Sequence, residues 1–374
     1  MTEPAKRLAD GRLTREHKRQ KWIAKQSRKE EKTNKQESRA RWFQEHSEFA
    51  ATVSEDDVDI ITSSAQHDNL SLIENLKPYF DVQDKTRKGA AFKSCQERLF
   101  IAEGTETIRL LIQQSTQRES NGLQPIQVKS IFVKTSSFFD PPVRLLTDVQ
   151  LALKKRQAPG PGFQVLVGSE AVLTRVAGFP IARGALACGV VPKSRDESWL
   201  DKFMKDKVKE GRIRILALDG ICDNANLGSM IRNASAFGVD VLVLSHDTCD
   251  CWYRRTIRVS MGHIFKVPIV RVRDLSAEIQ KWSGMEFGLV SYATVLNTKN
   301  LLSDIKHGTV PSRWCCVMGN EGNGISLAVK ESCTHQIRID IESGVDSLSV
   351  PVAAGIFLNG LREREQSEVS KASK

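Results

Sequence analysis

The sequence has eight cysteines but no Cys-x-x-Cys pair, and neither Cys249-x-Cys251 nor the adjacent Cys315-Cys316 has the spacing of a zinc site. That pattern argues against a metal site and against a disulfide framework, and predicts reduced thiols inside the cell. Tyrosine is scarce, with 3 residues, and all aromatics together make up 6%. No apolar run approaches the ~20 residues needed to cross a bilayer, so no membrane span is expected. The first fifty residues lack the apolar stretch of a secretory signal. Their frequent acids, among them Glu3, Asp10 and Glu16, also argue against an organellar presequence. A cytoplasmic place is favoured, with nucleus and organelle left open.

Positive charge is plentiful. A chain of 374 residues carries net charge +10, with a pI near 9.2, which points to an anionic partner, nucleic acid first. The length fits two or three domains, and 40% hydrophobic residues suffice for a sizeable core. Residues 1–50 hold fourteen lysines and arginines against eight acids and few apolar residues. They read as a basic arm, disordered or loosely helical, that either adds phosphate contacts or is simply solvated. The whole extension runs to residue 88, with one helix-like piece at Ser71–Tyr79.

Residues 89–193 read as a small α/β domain: a strand, turn and amphipathic helix over Phe100–Ile112, then strands at Gln127–Val133, Phe163–Val167 and Ala182–Val190. Residues 194–211 are highly charged and read as a linker. Residues 212–364 alternate strands and helices, and a polar tail, 365–374, follows.

Three stretches of that last domain stand out. In the first, the strand Ile213–Leu218 leads through Asp223, Asn224 and Asn226 into a helix. Its apolar residues fall at Leu227, Met230, Ile231 and Ala234, one helical face with Arg232 off it. Asn226 taken alone is a candidate helix cap. In the second, an apolar strand ends in Gly319-Asn320-Glu321-Gly322-Asn323-Gly324. This is not the dinucleotide fingerprint, and no Gly-Lys-Ser/Thr marks a triphosphate loop. Glycines at a strand end let a ligand approach the backbone closely. In the third, Ile337–Phe357, a strand leads through a polar turn to Ser347 and a helix of small residues.

Together these stretches resemble the SpoU branch of the SPOUT RNA methyltransferases over about 212–364. Asn226, Gly228, Arg232 and Phe237-Gly238 match its first motif; Gly319, Glu321, Gly322 and Gly324 its second; Ile339, Ile341, Ser347, Leu348 and Val350 its third. Asp340, Ser349 and Pro351 depart from the third motif; Ser349 stands where the family has asparagine. The earlier domain is similar to the L30e-like RNA-binding domain that precedes many SpoU domains, with Arg98, Glu103 and Gly104 matching its opening.

The resemblance implies an α/β fold: a trefoil-knotted parallel-sheet catalytic domain, preceded by the L30e-like domain and the basic arm. It implies S-adenosyl-L-methionine as cofactor, with Gly319, Ile339 and Leu348 beside the adenosine and Thr294 closing the pocket. The acceptor would be a ribose 2′-hydroxyl of rRNA or tRNA. Arg232 would remove its proton or stabilise the charge left behind. A guanidinium, with a pKa above ~12, is an odd base, so the second role is physically easier. Ser347 would position phosphate or ribose, and Asn226 and Glu321 would hold Arg232 in place, Glu321 by an ion pair. The resemblance also implies a homodimer. Arg254 and Arg258, beside Trp252 and Tyr253, form a basic patch with two readings, RNA contact or a solvated helix face. The rival function is an RNA-binding protein of the same fold with weak or no methyltransferase activity, a reading the Ser349 departure keeps open.

Overall fold

The computed structural model describes residues 97–117, 122–134, 163–181 and 184–366, with short pieces at 20–27, 29–30, 50–52, 76–79 and 92–94 and five single residues. Most of the basic arm, most of the Ser71–Tyr79 piece and the end of the polar tail lie outside the described residues.

The first domain is a mixed sheet of four main strands: β3 (Glu97–Glu103), β4 (Val128–Lys134), β5 (Gln164–Gly168) and β6 (Ala185–Val190). Two three-residue strands, β1 (Ala50–Thr52) and β2 (Phe92–Ser94), flank it in the order β1-β5-β4-β6-β3-β2. Strand β6 runs antiparallel to both β3 and β4, while β4 and β5 are parallel. Helices α1 (Thr105–Ser115) and α2 (Glu170–Ala177) pack on it.

The second domain is a wholly parallel sheet of six strands: β7 (Ile213–Asp219), β8 (Val241–Leu244), β9 (Ile269–Arg271), β10 (Val290–Thr294), β11 (Arg313–Gly319) and β12 (His335–Ile337). Their order is β12-β10-β11-β7-β8-β9. A parallel sheet is covered on both faces, so its central strands read as continuous apolar runs. That is why IRILALD and RWCCVMG sit at the centre, buried nearly throughout. The helices are α3 (Glu197–Lys209), α4 (Asn224–Ala236), α5 (Arg254–Val259), α6 (Leu275–Ser283), α7 (Leu327–Ser332) and α8 (Val350–Glu363).

The charged stretch at 194–211 holds α3, capped by the Asp196 side chain, and its Leu200 and Met204 are buried in the same cluster as Ile213 and Ile215. Glu365, in the segment read as a tail, accepts hydrogen bonds from Arg214 on β7 (2.7 Å) and from the Trp314 indole on β11 (3.1 Å).

One hydrophobic cluster runs through both domains. At the seam Phe100 packs against Trp252 and Phe265, with ring centroids 5.1 and 5.8 Å away. Among the described residues no helix is long and apolar enough to cross a membrane, and no group of three or more His, Cys, Asp or Glu could hold a metal ion.

Candidate active site

Strand β10 ends at Thr294 and β11 at Gly319, on adjacent parallel strands, so both chain ends open at one edge of the sheet. The loop after β11 folds back tightly: Asn320 and Gly324 exchange backbone hydrogen bonds of 2.9 Å each. A Cβ on Gly319 would lie 2.2 Å from the Gly324 carbonyl carbon and the Ile325 nitrogen, so only glycine fits there. Asn320, which the sequence analysis passed over, holds the turn. Its Oδ1 accepts from the N–H groups of Gly322 (2.8 Å) and Asn323 (3.0 Å), and its Nδ2 donates to the Gly220 carbonyl (2.6 Å). An asparagine with glycine two residues on is an Asx-turn signal, readable in the sequence. Asp219, at the end of β7, accepts from Ser326 N–H at 2.8 Å and fixes the far side of the loop.

Between this loop, the end of β10 and residues 339–357 lies a cleft of about 290 Å³. Thr294, Gly319, Glu321, Ile339, Ser347 and Leu348 all line it. Residues from three stretches up to 54 positions apart are thereby brought together. Thr294 is held by its own hydroxyl, which donates to the Val317 carbonyl at 2.8 Å. The walls are apolar, from Ile339, Ile341, Leu348 and Phe357, and Leu296 at the mouth is 68% exposed.

Asn226 and Arg232 do not line the cleft. Asp223, not Asn226, is the helix cap: its carboxylate accepts from the N–H groups of Ala225 and Asn226, 2.8 Å each. Asn226 instead donates from Nδ2 to Glu321 at 3.0 Å, joining the first turn of α4 to the cleft loop. The backbone N–H groups of Cys222 and Asp223 approach the same carboxylate at 3.3 and 3.4 Å.

The expected Glu321–Arg232 pair is therefore corrected. Glu321 is engaged at the start of α4, and Arg232 lies six residues on, about 9 Å along the axis and about 120° around it. Arg232 is exposed and forms no ion pair among the described residues. It sits beside His263, whose Nδ1 is 2.8 Å from the hydroxyl of Ser235, one turn on from Arg232. Burial, then Lys266 and Arg232, hold the His263 imidazole below its ordinary pKa.

The basic patch divides. Arg254 points inward, 3% exposed, and pairs with Glu103 of the first domain, itself 5% exposed by side chain. A group so enclosed joins the two domains and does not face RNA. Arg258 lies 3.7 Å from the same carboxylate and is 36% exposed. Gly228 of the first motif serves packing, since a Cβ there would meet the Thr256 carbonyl oxygen of α5 at 2.6 Å.

The sequence profile of the SpoU rRNA Methylase family matches residues 214–359, spanning the parallel sheet and the cleft. A tRNA/rRNA methyltransferase of Mycobacterium tuberculosis, described as uncharacterized, is 32% identical over 225 residues, 59% of this chain and 74% of that protein. The chain belongs to the SpoU rRNA methylase family. A second relative is the 23S rRNA (guanosine-2′-O-)-methyltransferase of Photobacterium profundum, 29% identical over 187 residues, 49% of this chain and 74% of that one. The S-adenosylmethionine-bound rRNA methyltransferase of Sinorhizobium meliloti shares the fold, with a TM-score of 0.55 at 20% identity over 84% of this chain and 97% of that one. As a SpoU protein the chain is an RNA methyltransferase.

Proposed function

We propose that this protein transfers a methyl group from S-adenosyl-L-methionine to a ribose 2′-hydroxyl of rRNA or tRNA. The cleft at the ends of β10 and β11 carries this reading, because it gathers the residues expected to hold the cofactor and omits Arg232, expected to act on the acceptor. The cleft suits the group: apolar walls for a flat purine and a size that takes a nucleoside. When bound, the cofactor supplies an electrophilic methyl on a sulfonium.

The chain's own work lies at the acceptor. The ribose hydroxyl must pass its proton to solvent water as its oxygen attacks carbon, and a fixed positive charge beside that oxygen lowers the barrier. Arg232 supplies it. Ser347, exposed at the mouth of the cleft, positions ribose or phosphate. Asn226 and Glu321 lock the α4 start to the loop that frames the cofactor.

A single subunit leaves Arg232 off its own cleft wall, which favours a homodimer in which the arginine serves the partner's site. Val352 and Ile356, four residues apart on α8, are 53% and 39% exposed, an apolar stripe suited to such a contact. Helix α4 lies alongside, with Asn233 donating to the Pro351 carbonyl at 2.8 Å. The trefoil knot and the L30e-like character of the first domain belong to the same proposal.

The test is calorimetric titration with S-adenosylmethionine, followed by mapping of ribose methylation in RNA from cells with and without the protein. Cofactor binding and one or more lost 2′-O-methyl groups are expected. Binding of RNA without cofactor affinity would favour a non-catalytic member of the family. Ser349 does not line the cleft, although Leu348 and Val350 on either side of it do.

A further inference from the structure

A second cleft, of about 260 Å³, lies in the seam between the two domains. Its floor is apolar and partly aromatic, built from Ile126 of the first domain and Trp252, Phe265 and Val267 of the second. Its rim is cationic, with Arg98, Lys193, Arg195 and Arg271 against one carboxylate, Asp250. Arg98 pairs with Asp250 at 2.6 Å. Arg195 donates to the Gly122 carbonyl and stacks over Trp199 at 4.4 Å.

Arg271 is held differently. Its guanidinium donates to the carbonyls of Ser245 (2.7 Å), His246 (3.0 Å), Thr248 (2.6 Å) and Cys249 (2.9 Å) and forms no ion pair among the described residues. Neutral acceptors fix its position without cancelling its charge. Lys193 is exposed and likewise forms no ion pair among the described residues.

Position gives this cleft its meaning. Leu244 and Arg271, which line it, are the last residues of β8 and β9. Thr294 and Gly319, which line the cofactor cleft, are the last residues of β10 and β11. All four strands are parallel in one sheet, so both clefts open at the same edge, two to four strands apart. At ~4.8 Å per strand that is about 10 to 20 Å.

We infer that the seam cleft holds one nucleotide of the RNA substrate, close in sequence to the methylated one, with its base on the Trp252 floor and its phosphate at Arg271 and Lys193. This rests on the RNA methyltransferase reading. A small anion would leave the apolar floor wet, and an apolar ligand would leave the Arg271 charge unanswered. A nucleotide satisfies both, since base–aromatic stacking and phosphate–cation contact are what single-stranded RNA offers.

The test uses the full chain with tRNA and ribosomal RNA transcripts carrying 4-thiouridine. Irradiation followed by mass spectrometry should place crosslinks on peptides containing 191–195 or 249–253. Lys193→Ala should lower the salt slope of RNA binding by about one. Ser194→Trp, which fills the cleft from an exposed loop, should raise the KM for RNA roughly tenfold. S-adenosylmethionine affinity and thermal midpoint should stay unchanged in both. Crosslinks elsewhere, with wild-type salt slope and KM in both variants, overturn the inference while leaving methylation intact. Crosslinks in the seam without methylation by the wild type would keep this contact and overturn the catalytic reading. Retention of AMP or UMP alone at the cleft, with no effect of either variant on RNA, would assign it to a free nucleotide and overturn the RNA contact.

Discussion

At the scale of single residues, the two motif glycines that look alike in the sequence have different jobs. Gly319 is forced by a backbone crossing, and Gly228 by the approach of α5. Gly319→Ala should therefore directly disturb the loop proposed to hold the cofactor. Its Cβ would collide with backbone atoms, which cannot swing aside as a side-chain tip can. We expect loss of S-adenosylmethionine binding by calorimetry together with a lowered thermal midpoint; normal binding would mean that the loop has slack.

Arg232 is the opposite case, exposed and tied to nothing among the described residues. Arg232→Ala should leave cofactor affinity unchanged and cut the methylation rate on the order of a hundredfold or more, the usual cost of removing a charge-stabilising donor. Arg232→Lys should not rescue it, because lysine lacks the planar fork that can hold a phosphate and a hydroxyl together. Full activity of Arg232→Ala at saturating RNA and cofactor would remove the arginine from the mechanism.

At the scale of elements, the stripes and runs were legible. The face Leu227, Met230, Ile231 and Ala234 is the buried face of α4, and the apolar runs at 213–218 and 314–318 are central strands. What the sequence could not reveal was direction. Arg254 and Arg258 are four residues apart in a run of basic residues beside aromatics, and nothing local says that one turns in. The reason lies 151 positions away, in Glu103, which closes β3 of the other domain. The Glu321 partner was misjudged for a similar cause: both Asn226 and Arg232 belong to one motif, but helix geometry sends them to different sides. The cleft lining was named by the family resemblance; strand geometry explains only why Thr294 and Gly319, at the ends of adjacent parallel strands, share an edge.

Helix α8 carries its own prediction. Its inner face, Ala354, Phe357, Leu358 and Leu361, is buried, yet Val352 and Ile356 stay out. Changing both to glutamate should give a monomer by light scattering, where the wild type should give a dimer. It should also abolish methylation with cofactor binding intact. A wild-type monomer at micromolar concentration would refute the dimer outright.

At the scale of the whole molecule, the domains are joined by a buried charge pair as well as by the aromatic seam. Glu103→Ala would leave the Arg254 guanidinium enclosed without its carboxylate. Breaking such a pair from one side costs about 3–5 kcal/mol, so thermal unfolding should shift down by many degrees. The double variant Glu103→Leu with Arg254→Met should recover much of the loss. If the single variant is as stable as the wild type, the pair contributes nothing to the joint.

The strand order has a consequence for how the protein is made. Ile213 pairs with Arg313, a hundred positions later, and β11 fills the gap between β7 and β10. On a ribosome, β7, β8 and β9 emerge well before their central neighbour, so β7 waits with a bare apolar edge, the kind that recruits other chains. Nascent chains stopped near residue 300 should be chaperone-bound or insoluble, and those extended past Glu365 should resist protease. The late arrival of one strand makes the emergence of β11, more than any local sequence, the event that commits this domain to its fold.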